Sequence, residues 1–159
     1  MILSFLFILI SSSIVFSAEN SLEGTYKLIS STRKILDTGE VINTYGENPT
    51  GYIMYGEDGR MLGLIVRNER PKAKKIENLT QEQKAALFSS MLAYGGTYKF
   101  DGKSVQHNID ISWNEIWTGI TVIREIRKEG DKLIYTTLPA PFSGDGKMSI
   151  TTLVWEKVR

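Results

Sequence analysis

The chain carries a single histidine and no cysteine, so few of its residues can do chemistry. His107 lies in the run Ser104–Ser112, where Val105, His107, Ile109 and Ile111 alternate with Gln106, Asn108, Asp110 and Ser112. Successive side chains of a strand point to opposite faces, so His107 is expected to turn inward with the apolar set. In Ile120–Lys128 the residues Ile120, Val122, Arg124 and Ile126 share one face, with Thr121, Glu125 and Arg127 on the other and Ile123 the exception. Arg124 is therefore expected to point inward as well. An isolated buried charge costs several kcal/mol, so its guanidinium needs a partner or hydration. The candidates are the hydroxyls of Tyr26, Tyr98 and Tyr135, a buried carboxylate such as Glu156, or the anionic head group of a ligand.

Two adjacent strands carrying His107 and Arg124 would form the polar end of an apolar cavity, with Tyr52, Tyr55, Tyr98, Phe100, Trp113 and Trp117 lining the remainder. Apolar walls with a few placed polar groups are the usual design of a small-molecule pocket. On that reading the ligand contacts are His107, Arg124, Tyr98, Tyr55, Phe100 and Trp117. A plainer alternative is an internal network in which Arg124 closes one end of the fold against an aromatic ring. Buried polar groups are normally satisfied within the fold, which ranks the plain alternative first and catalysis last. Catalysis would cast His107 as the general acid or base of an isomerase or cyclase.

Other chemistries are poorly served. Without cysteine there is no disulfide, thiol nucleophile, Cys-based zinc site or lipid-modified cysteine, and one histidine excludes a multi-histidine metal site within the chain. No serine sits in a G-x-S-x-G elbow, and phosphate-loop and dinucleotide glycine patterns are missing. Glu47, Asp58, Asp110 and Glu115 fall in turns or on polar faces, which does not support a glycosidase pair. Net charge is +1 with both signs interspersed, which favours neither nucleic acid nor an anionic membrane. No metal and no cofactor is expected.

The elements that must position these residues read as short strands divided by turn chemistry. Gly24–Ser30, Gly51–Tyr55, Met61–Arg67, Thr97–Phe100, Ser104–Ser112, Ile120–Lys128, Leu133–Thr137 and Met148–Val158 alternate or run apolar, and Glu40–Asn43 is a further candidate. Gly56-Glu57-Asp58-Gly59, Asp101-Gly102 and Gly130-Asp131 mark hairpins. About eight antiparallel strands close readily into a barrel whose interior holds one small ligand. The spacing predicts an all-β fold with one helix near residues 80–94. Thr80-Gln81-Glu82-Gln83 forms a capping box, Ala85, Leu87, Phe88, Met91 and Leu92 recur at helical spacing, and Gly95-Gly96 ends the run. The apolar stripe is expected to pack on the barrel wall, with a cover over one open end as the second reading. Asn68–Asn78, with Arg70, Lys72, Lys74 and Lys75, reads as a solvated loop, and Asn78-Leu79-Thr80 is a glycosylation sequon in a eukaryotic host.

Ahead of this lies an uncharged apolar run, Ile2–Phe16, interrupted only by small serines. It reads as a secretory signal over residues 1–18, cleaved after Ser17 or Ala18, although no Lys or Arg precedes it. The run is shorter than the ~20 apolar residues that comfortably span a bilayer. The mature domain is then 19–159, in a secreted or periplasmic location.

The ordered motifs carry a resemblance. Gly24-Thr25-Tyr26-Lys27-Leu28 is similar to the G-T-W-x-L opening of lipocalin-like domains, with Tyr26 in place of the usual Trp. Gly46 to Tyr55 and Asp58-Gly59-Arg60-Met61 resemble that family's G-x-x-P-x-G-x-L-x-Y and D-G-R-M segments. Tyr94-Gly95-Gly96-Thr97-Tyr98, Val105-x-His107, Trp117-x-Gly119, Arg124 and Leu153-Val154-Trp155-Glu156-Lys157 follow in order, with one His where a pair is common. The resemblance implies a calycin-type barrel with a ligand cavity and leaves the ligand open. The leading expectation is an exported carrier of a small hydrophobic or amphiphilic molecule. The rivals are the His107 enzyme and a ligand-free scaffold whose loops bind another protein.

Overall fold

Alternation along each strand decides which side chains meet inside. In the computed structural model, which describes residues 21–159, ten strands form: β1 (Gly24–Ile35), β2 (Val41–Asn43), β3 (Thr50–Tyr55), β4 (Arg60–Val66), β5 (Met91–Phe100), β6 (Ser104–Ser112), β7 (Thr121–Glu129), β8 (Lys132–Thr136), β9 (Ala140–Pro141) and β10 (Met148–Lys157). The expected signal segment, with its cleavage after Ser17 or Ala18, lies outside the described residues. Eight strands pair antiparallel in the order β1-β3-β4-β5-β6-β7-β8-β10, and β10 pairs back onto β1 to close the barrel. The two-residue β9 and three-residue β2 pair on the outside of the seam, with β10 and β1 respectively. The expected eight-stranded, all-β lipocalin-like barrel with one helix is what forms.

The connections make the two ends unlike. At one end lie the tight hairpins 56–59, 101–103 and 130–131. Gly59 and Gly130 have φ of 76° and 58°, a left-handed backbone that glycine adopts without steric cost. Leu22, Tyr26 and Tyr55 are buried near this end, with Tyr98 and Phe100 packed partly buried against them. The long connections 36–49, 67–90, 113–120 and 137–147 all lie at the other end.

Two bulges change which residues face inward. On β1, Leu28 pairs with Trp155 and Ser30 with Val154, so Ile29 is the extra residue. Tyr26 and Leu28 point inward before it, and Ser31, Arg33 and Ile35 after it. On β6, Gly95 pairs with Ile111 but Gly96 with Ile109, which leaves Asp110 unpaired. A bulge shifts the pleat by one residue. Ile111, expected on the inward face with His107, is consequently 64% exposed.

The helix differs most from expectation. α1 spans only Gln81–Ser89 and buries none of its residues. Its cap is as read: Thr80 Oγ1 accepts from the Gln83 N–H at 3.2 Å, and Gln83 Oε1 accepts from the Thr80 N–H at 3.0 Å. The stripe read across 85–92 ran two elements together, because Met91 and Leu92 belong to β5 and pair with Val66 and Ile65 of β4. What remains of the stripe on α1 is Leu87 and Phe88, and the Phe88 ring lies 6.2 Å from that of Trp113. α1 is tethered at the long-connection end by Arg70, which donates to Ser90 Oγ at 3.0 Å and to the Leu87 carbonyl at 3.3 Å. Gly95 and Gly96 do not end the helix; both are buried inside β5. A Cβ on Gly96 would stand 2.0 Å from the Asn108 carbonyl oxygen, so the bulged β5–β6 pair requires glycine there. Among the described residues no helix is long and apolar enough to cross a membrane.

Gly96→Ala is expected to destabilise the barrel by about 3 kcal/mol, because the strand must shift to admit the methyl group. The midpoint of urea unfolding checks this, and an unchanged midpoint would refute the close-approach account.

Candidate functional site

The barrel interior is divided by a chain of buried aromatic hydroxyls. The Tyr135 hydroxyl on β8 donates to the Tyr55 hydroxyl on β3 at 3.0 Å. Tyr55 Oη lies 2.7 Å from His107 Nε2 on β6, and Tyr94 Oη on β5 lies 3.0 Å from His107 Nδ1. Since Tyr55 already accepts from Tyr135, both ring nitrogens are satisfied when Tyr55 donates to Nε2 and Nδ1–H donates to Tyr94. His107 is fully buried. Its pKa is lowered to about 3, chiefly by burial and further by the Arg124 charge, so the imidazole is neutral at any physiological pH. Burial also pushes the Tyr55, Tyr94 and Tyr135 hydroxyls up, which keeps all three neutral. The result is an uncharged, hydrogen-bonded floor spanning β8, β3, β6 and β5.

Between this floor and the long connections lies a cavity of about 780 Å³. Its walls include Tyr45, Ile65, Leu92, Trp113, Trp117, Leu138 and Phe142, with Tyr94, Tyr135 and Trp155 also on its lining. Of the six residues expected from sequence to contact a ligand, Arg124 and Trp117 line the cavity. His107 and Tyr55 belong to the floor network. Tyr98 and Phe100 sit at the hairpin end, where the Tyr98 hydroxyl donates to the Gly56 carbonyl at 3.1 Å and Lys128 Nζ stands 5.3 Å from the Phe100 ring. Trp113 lines the cavity as expected, whereas Tyr52 is 43% exposed on the outer wall because β3 buries Gly51, Ile53 and Tyr55 instead. Tyr135 and Trp155, not assigned to the wall from sequence, are on the same inward faces as Leu133 and Leu153 and were findable by alternation. Tyr45 comes from a connection, where no periodicity marks direction.

Arg124 is one of the charged groups on the cavity lining. It is half-buried. Burial lowers its pKa, opposed by the nearby Tyr94, Tyr55 and Tyr45. Nη1 donates to the Ile123 carbonyl at 3.1 Å. None of the expected hydroxyls of Tyr26, Tyr98 and Tyr135 bonds it, and Glu156 is exposed on the opposite face of β10. Among the described residues no carboxylate pairs with it, nor does it stack on an aromatic ring. The expected closure of one end by Arg124 against an aromatic is instead made by Arg33, whose guanidinium lies 4.1 Å from the Phe142 ring centroid.

Arg33 forms a two-point pair with Asp145 in the 141–147 connection, at 2.9 and 2.8 Å. The Arg33 hydrogen bonds hold the Asp145 carboxyl down at about 2. A planar guanidinium–carboxylate fork of this kind fixes geometry as well as charge, and it pins this connection at the mouth. The β1 bulge makes it achievable by turning Arg33 inward. Among the described residues no group of three or more His, Cys, Asp or Glu is placed to hold a metal ion. A family model described as a lipocalin-like domain matches residues 23–158. No curated protein matches the chain.

The floor makes stability depend on pH with a definite sign. Histidine in an unfolded chain titrates near about 6.5, and His107 in the barrel only at about 3. Its contribution is complete above about pH 6.5 and is lost as pH falls toward about 3, on the order of a few kcal/mol. The Arg33–Asp145 contribution fades lower, from about pH 4 to about 2. Urea unfolding across pH 7 to 4 should show the loss in wild type and little of it in His107→Gln. An imidazole that titrates near pH 6.5 in the folded protein would refute the buried floor.

Proposed function

The chain belongs to the lipocalin-like domain family, and from that premise we propose that it is an exported binding protein holding a small hydrophobic or amphiphilic molecule in its barrel. The observation that carries the proposal is the cavity of about 780 Å³ with predominantly apolar and aromatic walls. Small-molecule sites occupy roughly 300–1,000 Å³ and are lined in this way. A barrel that served only as a scaffold would gain stability by filling that volume, because interiors are otherwise close-packed. Export is supported by the apolar run Ile2–Phe16 and the small residues after it.

The floor chemistry weighs against the isomerase or cyclase alternative. A general acid or base works best with a pKa near the operating pH and within reach of its substrate. His107 has a pKa of about 3 and no accessible surface. Both ring nitrogens are already committed to tyrosines. Neither His107 nor the paired Asp145 therefore offers the cavity a proton donor or acceptor of matched strength.

Trp113, Trp117 and Trp155 all line the cavity, so intrinsic fluorescence reports occupancy directly. Titration of the mature protein with the neutral probe N-phenyl-1-naphthylamine should give saturable quenching with a dissociation constant of about 1–10 μM, equivalent to roughly 7–8 kcal/mol. Addition of 1-dodecanol should displace it. Absence of saturable binding, together with no small molecule in an organic extract of the protein from its native source, would overturn the proposal.

A further inference from the structure

The charges and hydrogen-bonding groups along the cavity are unbalanced. Its lining includes Arg33, Arg67 and Arg124 against the single carboxylate Asp145, and Arg33 already occupies both oxygens of that carboxylate. Arg67 donates to the Thr44 carbonyl at the rim. Among the described residues Arg124 makes one hydrogen bond, to a neighbouring main-chain carbonyl. Three neutral groups on the lining are also buried without a partner among the described residues: the Thr44 hydroxyl, which can donate or accept, and two indoles. Trp113 and Trp155 line the cavity, and the indole N–H of each is buried without an acceptor among the described residues. Indole and guanidinium can only donate. Among the described residues the cavity lining therefore has more positive charge than negative and more unmatched donors than acceptors.

Position along the strand sets a direction. β7 enters the barrel at the long-connection end with Thr121 and runs toward the 130–131 hairpin. Arg124 is thus deeper than Val122, and Tyr45 lies within electrostatic reach of both Arg124 and the rim residue Arg67. Ile42, Leu92, Trp117 and Leu138 provide apolar lining of the same cavity. We infer that the ligand is an amphiphilic acid, bound with its carboxylate on the Arg124 guanidinium and its apolar body extending toward the long connections. This rests on the binding function proposed above and narrows its ligand class. A carboxylate presents two acceptor oxygens in the plane of a guanidinium fork. One negative charge also matches Arg124, which has no carboxylate partner among the described residues.

A matched pair of probes tests the head group apart from the pocket. Dodecanoate and 1-dodecanol share a chain and differ in charge, and each is titrated at pH 8 against protein loaded with N-phenyl-1-naphthylamine. Wild type is expected to bind the acid about 10- to 100-fold more tightly, the range for a hydrogen bond to a charged group. In Arg124→Met the ratio should fall to about one with the affinity for the alcohol and the melting temperature kept, and Arg124→Lys should retain part of the preference. Arg124→Gln is a second neutral variant, and the wild-type ratio needs no variant. Equal binding of acid and alcohol to wild type, or a preference that survives both neutral variants, overturns the carboxylate assignment and leaves the pocket standing. Failure of all three compounds to bind overturns the pocket, and the assignment with it.

Discussion

β1 pairs with β10 from Tyr26 opposite Lys157 to Ile35 opposite Ser149, and this seam turns a sheet into a barrel. Closure removes both sheet edges and satisfies their backbone groups. It also fixes an interior volume that side chains must share. Eight strands enclose room for side chains or for one small ligand, and here the division follows the connections. The hairpin end is filled by Leu22, Tyr26, Tyr98 and Phe100. The end with long connections keeps its volume open, because those connections meet at a rim and do not plug it.

Burial acts on the two interior cationic candidates in opposite ways. His107 responds by staying neutral, and it becomes the hub of a tyrosine network in which both ring nitrogens are satisfied. Arginine has too high a pKa to escape in this manner, so Arg124 remains charged on the cavity lining. One desolvating environment therefore yields a neutral, hydrogen-bonded histidine and a charged arginine with no carboxylate partner among the described residues. Arg124 further lowers the histidine pKa, which ties the neutrality of the floor to the charge above it. Arg33 shows the third outcome: it is buried more deeply, yet it is fully paired with Asp145.

Much of the barrel was legible because period-two alternation reports burial directly. The inward placement of Val105, His107 and Ile109, and of Val122, Arg124 and Ile126, follows from the pleat alone. Legibility ended where the pleat was broken. The bulge at Ile29 turned Arg33 inward, and the one at Asp110 turned Ile111 outward; neither site carries a sequence mark as strong as the alternation it interrupts. The helix was misjudged for a related reason. Met91 and Leu92 fit a helical period with Leu87 and Phe88, but strand pairing with β4 claimed them, since tertiary pairing overrides short-range spacing.

The residue order by itself determined the strand faces, the tight hairpins at their glycines, the Thr80 cap and the exclusion of cysteine and multi-histidine chemistry. These are local properties, set within a few residues by backbone sterics and side-chain type. Tertiary structure alone decided that His107 is enclosed by Tyr55 and Tyr94, that Asp145 goes to Arg33, and that Arg124 has no carboxylate partner among the described residues. Those outcomes depend on which strands become neighbours across a closed barrel, where residues far apart in the chain compete for the same few partners. Whether a buried group becomes structural or remains free for a ligand is settled by that competition, and no single strand contains it.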